Sequence, residues 1–170
     1  MINTDLRPAK SHGQHVRLRI MTNAEFTRFS AHSFDSYAST VQRRTHRELE
    51  AVRAELGGPA TSRSERDLWY VIASEQVDIG YLWVQLSRNG ESAFLFDIQL
   101  VREKRGHGLG QAAMTRCIQG LRAAGIKSLR LSVFDDNLAA RSLYASMGFR
   151  IERIQPERAS RALALAIDSV

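Results

Sequence analysis

One cysteine, Cys117, is all the chain holds, which excludes an internal disulfide, a thiolate zinc cluster and a redox pair within one chain. Long apolar runs are missing too, so no segment reads as a membrane span. The opening stretch carries Asp5, Arg7, Lys10, His12 and His15 where a secretory signal needs an apolar centre. A reducing, cytoplasmic setting is the expectation. His32, His46 and His107 stand at no metal-ligand spacing from one another or from the cysteine, so no metal is expected. Acids are scarce in one place: residues 102–130 hold seven Lys or Arg against Glu103 alone. Residues 67–101 show the reverse, five acids against Arg88. So local a positive field suits a phosphate-rich ligand better than a duplex, which needs a broad basic face.

What is present organises one domain over residues 15–170, with residues 1–14 reading as a mobile arm. The alternation VRLRI predicts a first strand with Val16, Leu18 and Ile20 inward. Thr22 or Asn23 caps a short helix with Glu25, Phe26 and Phe29. The aromatic link Ser33–Tyr37 follows, either capping the core or forming part of a ligand mouth, and then a longer helix from Val41 to Leu56 with a stripe of Leu49, Val52 and Leu56. Leu68–Ala73, Ile79–Leu86 and Ser92–Leu100 read as an antiparallel meander, the last turn marked by Asn89–Gly90. From Val101 the period changes. Leu109, Ala112, Ala113, Cys117, Leu121 and Ala124 recur at helical spacing up to the stop at Gly125. Leu129–Phe134 is a strand, Asn137–Met147 a helix, and Ile151–Ile154 with Ala162–Ile167 a closing hairpin. The fold class is therefore mixed α/β, antiparallel in its first half and containing a crossover in its second.

The segment VREKRGHGLG, Val101–Gly110, puts Gly106, Gly108 and Gly110 between a strand and a helix. So little side-chain bulk lets backbone N–H groups converge on a pyrophosphate, joined by the free donors of the helix start. An ordinary tight connection uses glycine as well. A P-loop is excluded because Gln111 and Ala112 stand where Lys and Ser or Thr are needed. A dinucleotide fingerprint is excluded because the third glycine comes too early.

This segment, as FDIQLVREKRGHGLGQAAM, together with LSVFDDNLAARSLYASMGF further on, resembles motifs A and B of the GCN5-related N-acetyltransferase superfamily. Arg105, Gly108 and Gly110 match the first motif, and Asn137, Ala139, Ala140, Tyr144, Gly148 and Phe149 the second. The resemblance covers about residues 94–149. It implies a twisted, mostly antiparallel mixed sheet flanked by helices and splayed between its fourth and fifth strands. Acetyl-CoA would lie in the splay as co-substrate. Its pantetheine would pair near Ile98, Leu100 and Arg102, and its pyrophosphate would sit over Arg105, Gly106, His107, Gly108, Leu109 and Gly110. Asn137 and Ala140 would hold the cofactor arm. The Leu100 amide would lie nearest the thioester, and Tyr144 would be the general acid.

Direct acyl transfer needs a neutral amine, donors for the developing oxyanion and a proton source for the thiolate. Tyr144, with an ordinary pKa near 10, meets the last need. Superfamily members related to histone acetyltransferases use a glutamate as general base six residues before the position of Leu100, where this chain has Phe94. Asp97 is the one acid in that strand and the alternative base or amine-binding carboxylate. Strict alternation sets it beside Leu95 and Gln99, unless a bulge changes the phase. Cys117, on the apolar stripe, reads as core. Phe34, Tyr37, Trp69 and Trp83 are candidates to line an acceptor cleft. The expected acceptor is a primary amine of a small molecule, peptide or protein, and a charged transfer RNA and a homodimer stay open. The rival readings are an acyl-CoA-binding regulatory domain without efficient chemistry and, behind it, a nucleic-acid-binding module.

Overall fold

The computed structural model describes residues 16–167, so the arm expected at residues 1–14 lies outside the described residues. The strands are β1 (Val16–Ile20), β2 (Asp67–Ser74), β3 (Val77–Leu86), β4 (Ser92–Leu100), β5 (Ser128–Phe134), β6 (Arg150–Gln155) and β7 (Ser160–Ala166). The helices are α1 (Asn23–Thr45), α2 (Leu49–Leu56), α3 (Leu109–Ala123) and α4 (Leu138–Ser146). The strands form one sheet in the order β1-β2-β3-β4-β5-β7-β6. Only β4 and β5 pair in parallel, joined through α3, while the closing hairpin inserts β7 between β5 and β6.

Two apolar clusters lie on opposite faces of this sheet. The larger joins Leu82, Val84, Leu95, Leu129 and Leu131 to α3 through Leu109, Ala113, Met114, Cys117 and Leu121, and to Tyr144 of α4. The smaller joins Trp69, Val71 and Tyr81 to Met21 and Phe26, with Phe29 and Trp83 packed against it. Strand alternation explains the division: along β3, Leu82, Val84 and Leu86 face α3, while Tyr81 and Trp83 face α1.

The first helices differ from the sequence expectation. α1 is continuous through Ser33–Tyr37, because no glycine or proline interrupts the chain from Asn23 to Thr45. It opens on a capping box in which Thr22 and Glu25 exchange hydrogen bonds, and it stops only where His46 turns left-handed at φ 53°. Arg19 grips Glu25 from β1, and this hydrogen-bonded pairing takes the Glu25 carboxyl down to about 2. Ile20, expected inward, is 40% exposed, since the chain leaves β1 there and Met21 takes the buried position. Leu56 and Ala124 end their helices outside the core, whereas Met114 and Ile118 join it.

Candidate active site

β4 and β5 pair only from Ser92–Leu95 to Ser128–Leu131, and beyond Leu95 the two strands part. The departure coincides with a bulge: Val84 faces Leu95 and Trp83 faces Asp97, which leaves Phe96 without a partner on β3. The bulge changes the phase of the strand and corrects strict alternation. Ala93 and Leu95 face α3, yet past the bulge it is Ile98 and Leu100 that pack on that face. Asp97 and Gln99 turn to the α1 side, in register with Trp83 and Tyr81.

The free edge of β4 carries the donors that a ligand in the gap would meet. The Val101 N–H is bonded to the Ile79 carbonyl on β3, so by alternation the amides of Ile98 and Leu100 point the other way, into the gap. Leu100 shows this twice over, because its carbonyl accepts from Arg105 Nε at 2.9 Å on that same edge. The Ile98 amide also supports the charge of the neighbouring Asp97, which leaves the Leu100 amide as the uncommitted donor of the two. Behind Leu100 stands Gly80, where a Cβ would lie 2.1 Å from the Gln99 carbonyl oxygen and 2.9 Å from Leu100 Cδ2. Only glycine lets β3 approach β4 so closely. Arg102 lies outside the strand, in a 3-10 turn over Arg102–Lys104, so an extended pairing edge ends before it.

The glycine loop follows. Gly106 and Gly108 both have positive φ, 77° and 75°, the left-handed region that other residues enter at a cost. Gly108 is the N-cap of α3, whose first helical bond runs from Ala112 N–H to the Gly108 carbonyl. The amides of Leu109, Gly110 and Gln111 are thereby left as free donors at the positive end of the helix. A Cβ at Gly106 would meet nothing within 4 Å, whereas one at Gly110 would reach ordinary contact with Leu100 and Leu143, both at 3.9 Å. Arg105 and His107 stand exposed beside these donors, and Leu109 is buried beneath them. A glycine cradle, a helix start and a free strand edge in sequence fit a pantetheine-linked pyrophosphate.

Across the gap, Asn137 caps α4 by accepting from the Ala140 amide at 3.2 Å, so its side-chain oxygen is engaged while its NH2 group remains a donor. Ala140 is half-buried. One turn on, Tyr144 is 6% exposed and packs on Phe149 with ring centres 5.4 Å apart. Burial, with the Asp97 charge adding to it, pushes the phenol up to about 12.

On the α1 side, three side chains converge on Asp97 Oδ2: Ser33 Oγ at 2.6 Å, the Tyr81 hydroxyl at 3.0 Å and Gln99 Nε2 at 3.3 Å. Burial raises the carboxyl above the usual range although these donors pull the other way, and burial beside Asp97 raises Tyr81 well above an ordinary phenol. Sequence reasoning offered Ser33 only as the start of a segment that could line a ligand mouth, and it missed Tyr81 and Gly80. A serine on a helix facing an aspartate on a strand carries no local spacing. Gly80, inside a mostly apolar strand, was a legible sign of close backbone approach.

The profile of the acetyltransferase (GNAT) family matches residues 27–149. The chain belongs to this family. Among curated GNAT-type proteins it is 34% identical over 85 residues to the uncharacterized N-acetyltransferase YycN of Bacillus subtilis (strain 168), a match spanning 49% of the chain and only 54% of that relative. Against the uncharacterized N-acetyltransferase YdgE of the same organism, identity is 28% over 147 residues, or 81% of the chain and 94% of the relative. The crystal structure of YycN superposes with a TM-score of 0.71 at 23% identity, over 83% of this chain and 96% of that one. Spermidine N-acetyltransferase of Vibrio cholerae, solved with CoA and spermine, superposes at 0.65 with 15% identity, over 91% and 96%. These likenesses establish the fold, a mostly antiparallel mixed sheet flanked by helices, and the parting of β4 and β5 beyond Leu95 is this chain's own strand pairing. Among the described residues of this GNAT chain, no group of three or more His, Cys, Asp and Glu is placed to hold a metal, and no helix is long and apolar enough to cross a membrane.

Proposed function

We propose that the chain transfers an acetyl group from acetyl-CoA directly to a primary amine of a small molecule, peptide or protein. The observation that carries this reading is the gap between β4 and β5, with the Leu100 amide on one wall and Tyr144 buried on the other. Bound there, acetyl-CoA supplies an activated thioester. The residues of the chain orient it, offer the Leu100 N–H to the developing oxyanion, and keep bulk water away.

Tyr144 donates to the leaving sulfur. In water an ordinary phenol near 10 would face a thiolate of pKa about 8.5, and full proton transfer would be uphill by about 2 kcal/mol. The gap is not water. Burial raises the Tyr144 phenol to about 12, and desolvation acts in the same direction on a thiolate released beside it, so the two effects offset one another. Asp97, on the opposite face of β4, is the carboxylate that receives the amine as a cation or takes its proton. Its three side-chain donors are neutral, so an incoming ammonium would be its charge partner. Cys117 is fully buried in the core and takes no part.

The test is acetyl-CoA consumption across pools of primary amines, read as acetylated product by mass spectrometry. Products bearing one added acetyl group, with no acetylated protein in the quenched reaction, support direct transfer. Tight acetyl-CoA binding without any product would instead favour the regulatory reading, for which Phe94 at the usual glutamate position is the motivating residue.

A further inference from the structure

The bulge that turns Asp97 also brings an unpaired ring to the surface. Trp69 and Trp83 stack with centres 4.3 Å apart and planes 13° from parallel, and Phe96 continues the stack on Trp83 at 4.4 Å and 18°. The stack crosses β2, β3 and β4. It begins at a Trp69 that is 2% exposed and ends at a Phe96 that is 48% exposed. Phe94 meets Phe96 edge-on at 4.8 Å, bracing it from along the strand.

Register shows what lies past the last ring. Phe94 pairs with Arg130 on β5, so Ser132 and Phe134 share its α1-side face beyond the point where the strands part. Phe134 is covered there by Tyr37 of α1, with ring centres 6.1 Å apart, and by the Arg44 guanidinium at 4.1 Å. Ser33 and Ser36 tie the same helix to β4 through Asp97 and Gln99. α1 therefore spans both arms of the gap. On this face the exposed Phe96 ring lies on the β4 arm and the covered Phe134 ring on the β5 arm, with the Asp97 carboxylate next along the chain from Phe96.

From this we infer that the acceptor carries a planar aromatic ring one or two carbons from its primary amine, the ring stacking on Phe96 while the amine reaches Asp97. The inference rests on the transfer reading above and names its substrate class. An exposed ring already held in a stack offers its free face to one more ring, and a rigid, pre-stacked shelf adds little ordering cost on binding. A free arylalkylamine and a peptide with an aromatic first residue share this chemistry.

Two matched pairs separate the sources: 2-phenylethylamine against butylamine, and the dipeptide Phe-Ala against Ala-Ala. In at least one pair, kcat/KM should favour the aromatic member by about tenfold, and Phe96→Ala should bring that ratio close to one. Phe96→Leu, which keeps apolar bulk without the ring, should lower the ratio nearly as far. Calorimetric binding of the aromatic compounds to the CoA-loaded protein requires no turnover. Binding lost in Phe96→Ala without any acetylation would sink the transfer reading, and with it the acceptor role, while keeping Phe96 as a shelf for an aromatic amine. Acetylation with equal kcat/KM within both pairs, or a preference untouched by Phe96→Ala, would overturn the inference and leave transfer standing.

Discussion

Tyr81 and Tyr144 are both buried phenols near the same stretch of β4, and both are raised by burial first and by the Asp97 charge second. They differ in what their hydroxyls do. Tyr81, on the α1 face, is committed to Asp97 at 3.0 Å, whereas no hydrogen bond ties the Tyr144 hydroxyl among the described residues. One phenol holds a carboxylate in place, and the other is kept protonated beside an open strand edge. Desolvation of both rings is therefore compatible with different roles, a holding one for Tyr81 and the proposed donating one for Tyr144, according to which face of the bulged strand each ring meets.

Replacing each tyrosine by phenylalanine is the strongest way to break the comparison. Tyr144→Phe keeps the ring and should leave acetyl-CoA affinity near normal while slowing the chemical step by about 10- to 10,000-fold. Tyr81→Phe should act mainly on acceptor KM and on stability, by about 1–3 kcal/mol, because it removes a donor from a buried carboxylate. Equal kinetic losses in the two variants would erase the distinction.

Gly80→Ala tests the wall behind Leu100. The added Cβ meets backbone at 2.1 Å, which no rotamer change relieves, so chemical denaturation should show a loss of about 1–3 kcal/mol. Turnover should fall as well, as Leu100 shifts. A variant of native stability and rate would show that the strands separate freely there.

Asp97→Asn sharpens the α1 side. With its carboxyl raised by burial, the folded protein holds that proton more tightly than the unfolded chain does. This contribution to stability is present below the unfolded pKa and is lost as pH rises through the folded one. Asparagine should flatten that part of the stability-pH curve, and an unchanged slope would place the shift elsewhere. The smallest kinetic effect belongs to Cys117→Ala, which should cost about 1–3 kcal/mol in a cavity of the α3 core and leave the transfer rate intact. Loss of transfer in that folded variant would point to a covalent acetyl-enzyme.

The parts of the site that follow one another along the chain were legible in the sequence. Gly106, Gly108 and Gly110 announce the turn into α3, Asn137 announces the start of α4, and Cys117 reads as core from helical spacing alone. What eluded sequence reading depends on distant partners. Sequence reading allowed for a bulge beside Asp97 but could not place it, because the phase is set by a single unpaired Phe96, a one-residue event that leaves no mark in the alternation. The length of α1 was hidden for a related reason. Ser33–Tyr37 looks like a link by composition, but Ser30 and Ser33 satisfy their hydroxyls on Ala60 and Asp97, contacts made 30 and 64 residues away. Within the helix these serines need no other partner.

The most direct test of the account is the single-turnover rate of acetyl transfer from saturating acetyl-CoA, measured for native protein and Tyr144→Phe from pH 6 to 10 with one acceptor. Product release does not mask chemistry in that regime. Because burial pushes Tyr144 up to about 12, the native rate should show no descending limb from loss of the phenolic proton anywhere below pH 10. The variant should be slower by about 10- to 10,000-fold throughout. Equal rates for the two proteins across the range would contradict the account, because the sulfur would then leave without help from the tyrosine.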